Sequence, residues 1–347
     1  MDRFLQQNDE LGDLINAQAS ELYNRMKELD AENLGMPDYC LAYFRSSHFK
    51  RLFFSIETSA HLLYRSIMLA GKTPSGMVIM DYGAGVGTLY ILAKMIGCSK
   101  VIYNDHLDDW RISAQLIAEA VNVHVDHYIV GDIHDCLNKL FELHLNVDIV
   151  TSRNVIEHIY KLDMFYNAIH HRHPKAIIYS STTANKQNPA SVIKHLMWHR
   201  KWEKVFRGKR MVAIQRQSNG LSFTKVKILA TATRGLAAQD LHEAIEKYRK
   251  TGKRPDPKSN GSNTCDPSNG VWAEHLLSED AYRAMINIEN YSVSFDPGFW
   301  DTHYSQNYMN IAGKILNKII DGNKKIAMRI APFIYVVAIP RKKEINN

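Results

Sequence analysis

The sequence predicts an open, mostly parallel α/β sheet, and two observations carry that prediction. Short apolar runs of strand length alternate with segments that have helical periodicity, as in sheets covered by helices on both faces. A glycine-rich turn directly follows the first apolar run, at the position where such sheets bind ligands. The runs predicted as strands are residues 77–81, 100–105, 127–131, 147–152, 176–181, 291–296 and 333–339.

The composition is that of a globular protein. The chain has 347 residues, of which 45% are hydrophobic and 23% charged, so disorder and fibrous repeats are excluded. The formal net charge of +7 is compatible with an anionic partner. The four cysteines lie far apart, the N-terminal residues do not resemble a signal peptide, and no apolar run has the length of a membrane span. We therefore expect a soluble cytoplasmic protein.

Helical patterns surround the predicted sheet. Residues 3–32 have apolar positions at helical spacing, which indicates either a helix packed on the domain or a dimerisation or lid helix. The strand–helix alternation stops after the fifth strand and resumes at the sixth, with a loop rich in proline and glycine at 251–270. The predicted organisation is an N-terminal helical cap (1–75), a core (76–184), a helical insertion (185–285) and the C-terminal part of the core (286–347).

The strongest chemical signal is MVIMDYGAGVGT, residues 77–88. Gly83, Gly85 and Gly87 allow the backbone to approach a ligand closely, and the next helix would present its free N–H groups. The G-x-G-x-G spacing differs from the G-x-G-x-x-G fingerprint of dinucleotide-binding sheets. Asp81 would lie poorly beside a pyrophosphate but well beside a cationic amino acid or a sulfonium. A nicotinamide-dependent oxidoreductase is therefore disfavoured.

Polar segments follow three further predicted strands. Asp105 ends the second strand, where a carboxylate can accept both hydroxyls of a ribose, although it could instead cap the next helix. Asp132 follows the third strand, where it could meet an adenine amino group, with His134 and Asp135 offering alternative contacts. The segment SRNVIEH, residues 152–158, follows the fourth strand. All of them lie at the carboxyl edge of the sheet, where open α/β sheets bind ligands.

Together these segments resemble the class I S-adenosylmethionine-dependent methyltransferases, over residues 75–182 and 286–340. Three stretches are more closely similar to a bacterial and archaeal branch of that family: FKRLFFSIETSAHLLYRSI, VIYNDHLDDW and NTCDPSNGVWAEHLLSEDAY. The resemblance implies a Rossmann-like seven-stranded methyltransferase sheet whose last strand, 333–339, is antiparallel. It also implies methyltransferase activity with S-adenosylmethionine as the cofactor.

The resemblance implies which part of the donor each segment meets. Gly83 and Gly85 would contact its methionine part, Asp105 its ribose and Asp132 its adenine, while Ile133 would pack on the adenine ring. The predicted cofactor-binding residues are Asp81, Gly83, Ala84, Gly85, Gly87, Asn104, Asp105, Asp132, Ile133, Arg153 and Asn154.

The acceptor is less defined by the sequence. Transfer from a sulfonium depends mainly on alignment, and a base is needed only if the acceptor must lose a proton. Candidate bases are His158, His195 and His199. The last two are spaced four residues apart but lack the Glu of a His-Glu-x-x-His motif, so no metal is predicted. We expect O- or N-methylation of a small-molecule or glycan-type acceptor, with the insertion as its lid.

Two other functions stay open. An RNA methyltransferase would use the basic residues of 201–210 with Trp198, Trp202 and Phe206, which could otherwise form a solvated helix face with its tryptophans in the core. The SRNV segment is unlike the Asn/Asp-Pro-Pro-aromatic motif of enzymes that methylate base amines. The other alternative is a non-catalytic partner protein that binds S-adenosylmethionine. A homodimer formed through residues 3–32 is a further expectation about partners.

Overall fold

A computed structural model describes residues 3–218, 220–255 and 262–341 of the chain. A seven-stranded sheet crosses it in the order β3-β2-β1-β4-β5-β7-β6. Strands β1 to β5 are parallel, and β7 pairs antiparallel with both β5 and β6. The predicted Rossmann-like seven-stranded sheet with an antiparallel last strand is confirmed. The strands are β1 Val78–Tyr82, β2 Lys100–Asp105, β3 His127–Val130, β4 Ile149–Arg153, β5 Ile177–Thr182, β6 Tyr291–Pro297 and β7 Ile334–Pro340.

Helices cover both faces of this sheet. All six residues of β5 are buried, which explains why the central strands are continuous apolar runs in the sequence. The edge strand β6 instead alternates buried and exposed residues. The helices of the described residues are α1 Glu10–Lys27, α2 Asp38–Tyr43, α3 Leu52–Ala70, α4 Leu89–Met95, α5 Asp108–Ala120, α6 Ile133–Glu142, α7 Leu162–Arg172, α8 Pro189–Gln217, α9 Phe223–Ala232, α10 Ala238–Thr251, α11 Glu279–Met285, α12 Asn307–Gly322 and α13 Lys324–Ile330.

The N-terminal helices pack on the sheet and lead the chain to its carboxyl edge. The apolar face of α1, including Ile15, Leu22 and Met26, is buried in the same core as α3 and the first strands. The N-terminal helix is therefore packed on its own domain. Between α2 and α3, residues Phe44–His48 form a π-helical turn, a feature that is frequent at functional sites.

The insertion begins after β5 and has a small core of its own. Apolar residues of α8, α9 and α10 form this core, Ile214 and Leu241 among them. The amide of Asn185 fastens the start of the insertion by donating to the carbonyls of Met328 and Ala331. Within the predicted loop 251–270, residues 256–261 lie outside the described part of the chain. No helix in the described ranges combines the length and the apolar content that a membrane crossing requires.

Candidate active site

A cavity of about 250 Å³ opens at the carboxyl ends of β1 and β4. The glycine turn after β1 and the segment after β4 form one wall, and α3 with the π-helical turn forms the other. Seven of the residues predicted from the sequence line it: Asp81, Gly83, Ala84, Gly85, Gly87, Arg153 and Asn154. The sheet therefore brings the first and fourth strand ends to one place, as the sequence predicts.

The glycines of the turn are required for different reasons. Gly83 and Gly85 both have left-handed backbones, with φ of +65° and +52°. A Cβ on Gly83 would also lie 2.7 Å from the side chain of Val155, so packing excludes any larger residue there. A Cβ on Gly85 would meet nothing within 4 Å, because this residue borders the open cavity. The turn thus exposes bare backbone at Gly85, where a ligand can approach.

Asp105 ties the end of β2 to the glycine turn. Its Oδ2 accepts the N–H of Gly85 at 3.0 Å, and its Oδ1 accepts the N–H of His106 at 2.7 Å. Asp105 is buried beside the cavity but does not line it. Next to it, the Asn104 amide donates to the carbonyls of Ile129 and Gly131, so Asn104 holds β2 and β3 together at this edge.

Asp132 and Ile133 have local structural roles. The Asp132 carboxylate caps α6 by accepting the N–H groups of His134 and Asp135, and Asp135 accepts the N–H of Asp132 in return. Ile133 is buried in the core on one face of the sheet. Neither residue lines the cavity, and their contact with an adenine ring stays a prediction.

Asp81 is a buried carboxylate that has only neutral donors nearby. It is 3% exposed and receives the hydroxyl of Thr151 at 3.5 Å and the backbone N–H of Tyr90. Burial raises the pKa of Asp81 to about 7, against the opposing attraction of Arg153. No Lys or Arg nitrogen of the described residues lies within 4 Å of it, although its carboxylate borders the cavity.

Arg153 is the opposite case, a half-buried cation held by neutral acceptors. Its Nη1 donates to the carbonyl of Ser55 at 2.6 Å and to the hydroxyls of Thr58 and Ser59 at 2.8 and 3.1 Å. Burial lowers the pKa of Arg153, while the attraction of Asp81 opposes that shift. Within the described ranges it forms no ion pair, so its positive charge is uncompensated at close range.

His48 completes this wall as a neutral side chain. Its Nδ1 lies 3.3 Å from Nη2 of Arg153 and 3.0 Å from the Ser55 hydroxyl. Because an arginine can only donate, Nδ1 accepts, and the ring carries its proton on Nε2. Burial, together with the charge of Arg153, lowers the pKa of His48 to about 3, so the ring stays neutral near pH 7.

The far side of the cavity is aromatic and hydroxylic. Phe54 and Phe333 line it, and the guanidinium of Arg51 lies 4.5 Å above the Phe54 ring. Arg51 is neutralised by Asp301, which accepts from its Nε at 2.8 Å. The hydroxyl of Ser181 at the end of β5 is part of the same surface.

The histidines at positions 195 and 199 lie away from the cavity, inside the insertion. Nδ1 of His195 lies 2.6 Å from the Ser191 carbonyl, and its Nε2 bonds the Glu274 carboxylate. His199 accepts the N–H of Thr264 on Nδ1 and donates from Nε2 to the Glu274 carbonyl at 2.6 Å. Burial lowers the pKa of His199 to about 4. These contacts hold the insertion together, and a catalytic role for either histidine stays a prediction.

His158 also bonds to the insertion. Its Nδ1 donates to the Trp272 carbonyl at 2.8 Å, and the Trp272 N–H donates to the His158 carbonyl. His158 does not line the cavity, so its catalytic role is likewise untested. Across the described ranges, no group of three or more His, Cys, Asp or Glu side chains could hold a metal ion.

The sequence analysis missed the wall made by α3 and the π-helical turn. A signal for it is nevertheless present in the sequence, since Ser55, Thr58 and Ser59 place three hydroxyls at the i, i+3, i+4 spacing of one face of a mostly apolar helix. Those polar positions carry the partners of Arg153. The unpredicted residues that line the cavity from this side are Tyr43, Ser47, His48, Arg51, Phe54, Ser55 and Thr58.

Comparison with known proteins gives low similarity throughout. No family model matches the sequence, and the curated proteins contain no match to it. Among solved structures, an S-adenosylmethionine-dependent methyltransferase from Mesorhizobium loti is 12% identical, covering 81% of this chain and 98% of its own, with a TM-score of 0.39. The plantazolicin methyltransferase BpumL in complex with SAH is 12% identical, covering 95% of this chain and 100% of its own, with a TM-score of 0.40.

A third solved structure matches about half of the chain. A mutant of MtNAS in complex with S-adenosylmethionine is 16% identical, covers 48% of this chain and 56% of its own, and has a TM-score of 0.33. The fold assignment of this chain rests on its own strand order and pairing.

Proposed function

We propose that this chain is an S-adenosylmethionine-dependent methyltransferase. The observation that carries the proposal is the pair formed by Asp81 and Arg153, an acidic and a basic side chain that line one cavity without an ion-pair partner in the described part of the chain. A ligand that carries both an α-ammonium and an α-carboxylate would complement the two charges. The methionine part of S-adenosylmethionine has these groups.

The neighbouring residues suit the rest of the donor. The open backbone at Gly85 would accommodate the chain between the amino acid and the sulfonium. Asp105, which accepts the N–H of Gly85, would also accept the ribose hydroxyls of a donor that extends past the glycine turn. His48 would present its Nε2–H beside Arg153, as a second donor to a carboxylate. These residues support a donor that is bound along this edge from its amino acid to its ribose.

The chain's own contribution to the reaction would be alignment. When bound, the donor would supply a methyl group on a sulfonium. The acceptor would attack the methyl carbon in line, and the sulfur would leave as a neutral thioether without acid assistance. Phe54 and Phe333 would hold the acceptor against the donor and exclude water, and this proximity would provide most of the acceleration. His48, with a pKa of about 3, is a weak base. We therefore propose a small-molecule or glycan-type acceptor whose oxygen or nitrogen reacts with little help from a base.

Isothermal titration with S-adenosylmethionine tests the donor assignment. The wild-type chain should bind it, and Asp105→Ala should weaken binding more than tenfold, since losing a charged hydrogen bond costs about 1.5–3 kcal/mol. Asp108→Ala is a matched control, because it removes an exposed carboxylate three residues away that pairs with Arg111. Absence of binding to the folded wild-type chain at about 100 µM donor would reject the proposal.

A product screen tests the transfer itself. Incubation with a metabolite extract and donor labelled on its methyl group, followed by mass spectrometry, should reveal a labelled small molecule or glycan precursor. Donor binding without any labelled product would instead favour the non-catalytic partner protein.

A further inference from the structure

The first half of the insertion carries the positive charge of the chain. Residues 185–239 contain twelve lysines and arginines and one acidic residue, Glu203. The net charge of the whole chain is +7, so this stretch accounts for more than the entire positive excess. The charge of Glu203 is already neutralised inside the fold, because Glu203 pairs with the fully buried Arg210. Apart from Lys209, which pairs with Asp266, the exposed lysines and arginines of this stretch form no ion pair within the described residues.

Helix α8 displays that charge on a face that also exposes aliphatic side chains. The helix has 29 residues, which corresponds to roughly 43 Å. Its inner face is buried through His195, His199, Phe206 and Ile214. On its outer face Ile193 is 60% and Met197 69% exposed. The outer face of α8 is defined here by Ile193, Met197, Arg200, Lys201, Lys204, Val205, Arg207 and Val212, all of them exposed.

The positions of the aromatic residues argue against nucleic acid on this face. Trp202 stacks on Phe206 with ring centroids 5.3 Å apart, and Phe206 is only 6% exposed. Of the three aromatic side chains that could stack on bases, Phe206 is therefore buried and Trp202 half-buried, and Trp198 alone is exposed, at 42%, with the Lys201 ammonium over its ring. Between the exposed cations lie Ile193, Met197 and Val205, whose aliphatic side chains neither stack on bases nor bond to them. The exposed face instead combines aliphatic side chains with lysines and arginines, and buried apolar area together with attraction to anionic headgroups is what binds a helix to a lipid interface.

We propose that the outer face of α8 binds an anionic lipid surface. The helix would lie parallel to the surface, with Ile193, Met197 and Val205 at the boundary of the acyl chains. Its lysines and arginines would extend to the lipid phosphates, since their long side chains allow the charge to reach the headgroups. This proposal is independent of the methyl-transfer assignment.

The start of α8 is joined to the candidate active site. The Ser191 hydroxyl donates to the carbonyl of Thr183 at 3.1 Å, and Thr183 lines the cavity. A surface bound along α8 would therefore be fixed, at one end of the helix, next to the cavity wall.

Vesicle flotation with the full chain tests the proposal. The chain should float with phosphatidylcholine vesicles that contain about 30% phosphatidylglycerol and not with phosphatidylcholine alone, and added salt should weaken the binding. The combined variant Lys201→Gln, Lys204→Gln, Arg207→Gln should lower the bound fraction at least tenfold. As a matched control, Lys27→Gln, Lys175→Gln, Lys247→Gln removes three exposed lysines elsewhere and should bind like the wild type.

An aliphatic variant separates lipid insertion from charge attraction. Ile193→Ser, Met197→Ser, Val205→Ser keeps every cation and should still lower vesicle binding about tenfold, with an unchanged circular dichroism spectrum as the folding check. Full binding by this variant would overturn the proposal, because only charge would then be involved. Absence of flotation with anionic vesicles would overturn it too. Salt-sensitive binding to polyuridylic acid without binding to vesicles would assign the face to nucleic acid instead.

Discussion

The cavity and the insertion both bury charged and histidine side chains, yet they do so in opposite ways. In the insertion, both ring nitrogens of His195 and of His199 have partners, and Glu274 joins the two rings. At the cavity, Asp81 is buried and Arg153 half-buried, and both have only neutral neighbours at hydrogen-bond distance. A hydrogen-bond network in which every group has its partner indicates a structural role, whereas charged groups that lack a counter-charge indicate a ligand site.

This difference has an energetic meaning. A buried charge without a counter-charge destabilises a fold by several kcal/mol, so it persists where function compensates for it. The insertion avoids this penalty by pairing the fully buried Arg210 with Glu203. The cavity retains this energetic penalty at Asp81 and Arg153. Substitutions at the cavity should therefore weaken donor binding, whereas substitutions in the insertion should lower stability and leave donor binding unchanged.

The largest effect is expected for Asp81→Asn. Donor affinity should fall about 10- to 100-fold, because a charged hydrogen bond is lost. The folded-state pKa of Asp81, about 7, lies above its ordinary value of 3.8, so ionisation of this group opposes folding. The wild type should therefore lose stability as the pH rises from about 4 through 7. Urea denaturation at pH 5 and pH 8 should show a larger loss for the wild type than for the variant, which keeps the loss due to Glu57, whose pKa is raised by burial to about 8.

Titration calorimetry gives an independent check of the same group. Near pH 6 the Asp81 carboxyl is mostly protonated, and binding of an ammonium beside it would favour the carboxylate. Donor binding should thus release a proton, measured as a heat that differs between two buffers of different ionisation enthalpy. Asp81→Asn should bind without this release. Equal proton release by both proteins would remove Asp81 from the donor site.

The parts of the site that the sequence predicts are those set by local order along the chain. A strand followed by a turn places Gly83 and Asp105 at the carboxyl edge without any knowledge of distant contacts. The wall formed by His48 and Ser55 could not be predicted in this way. Its contacts with Arg153 join residues about one hundred positions apart, and only the packing of α3 across the sheet edge brings them together.

The same limit applies to the insertion. The spacing of His195 and His199 predicts that they share a helix face, but not what that face meets. The answer comes from Glu274, which is 79 residues beyond His195 in the chain. A pair of histidines at ligand-compatible spacing therefore lies in a structural network. The sequence contains no local sign of that network.

A smaller effect, on stability alone, is expected for His195→Ala. Removing this buried ring should lower the free energy of unfolding by about 2 kcal/mol and leave donor affinity unchanged within twofold. His195→Gln keeps a donor toward Glu274 and should restore part of the loss. Burial raises the pKa of Glu274, but the hydrogen bond and charge of His195 outweigh it, and the net shift is downward. A carboxyl group whose pKa is lowered in the folded state stabilises the fold at pH values above its ordinary pKa. The free energies of unfolding of the variant and the wild type should therefore converge as the pH falls below about 4.5.

The measurement is urea denaturation at pH 7 and pH 4, beside donor titration at pH 7. Loss of turnover or of donor binding in His195→Ala, with no loss of stability, would contradict the comparison. His195 would then belong to the acceptor site, as the sequence allowed.

The smallest effect concerns Asp132, which has a structural role and is also a candidate for donor binding. As the N-cap of α6 it should contribute about 1 kcal/mol to stability, and Asp132→Ala should remove most of this, whereas Asp132→Ser should keep it, because serine also caps helices. If the Asp132 carboxylate contacts the adenine of the donor, both variants should weaken donor binding. The serine variant should do so without a loss of stability. Donor titration of Asp132→Ser therefore decides between the two roles. Unchanged affinity assigns this carboxylate to the helix, and weakened affinity extends the ligand site from the glycine turn to the end of β3.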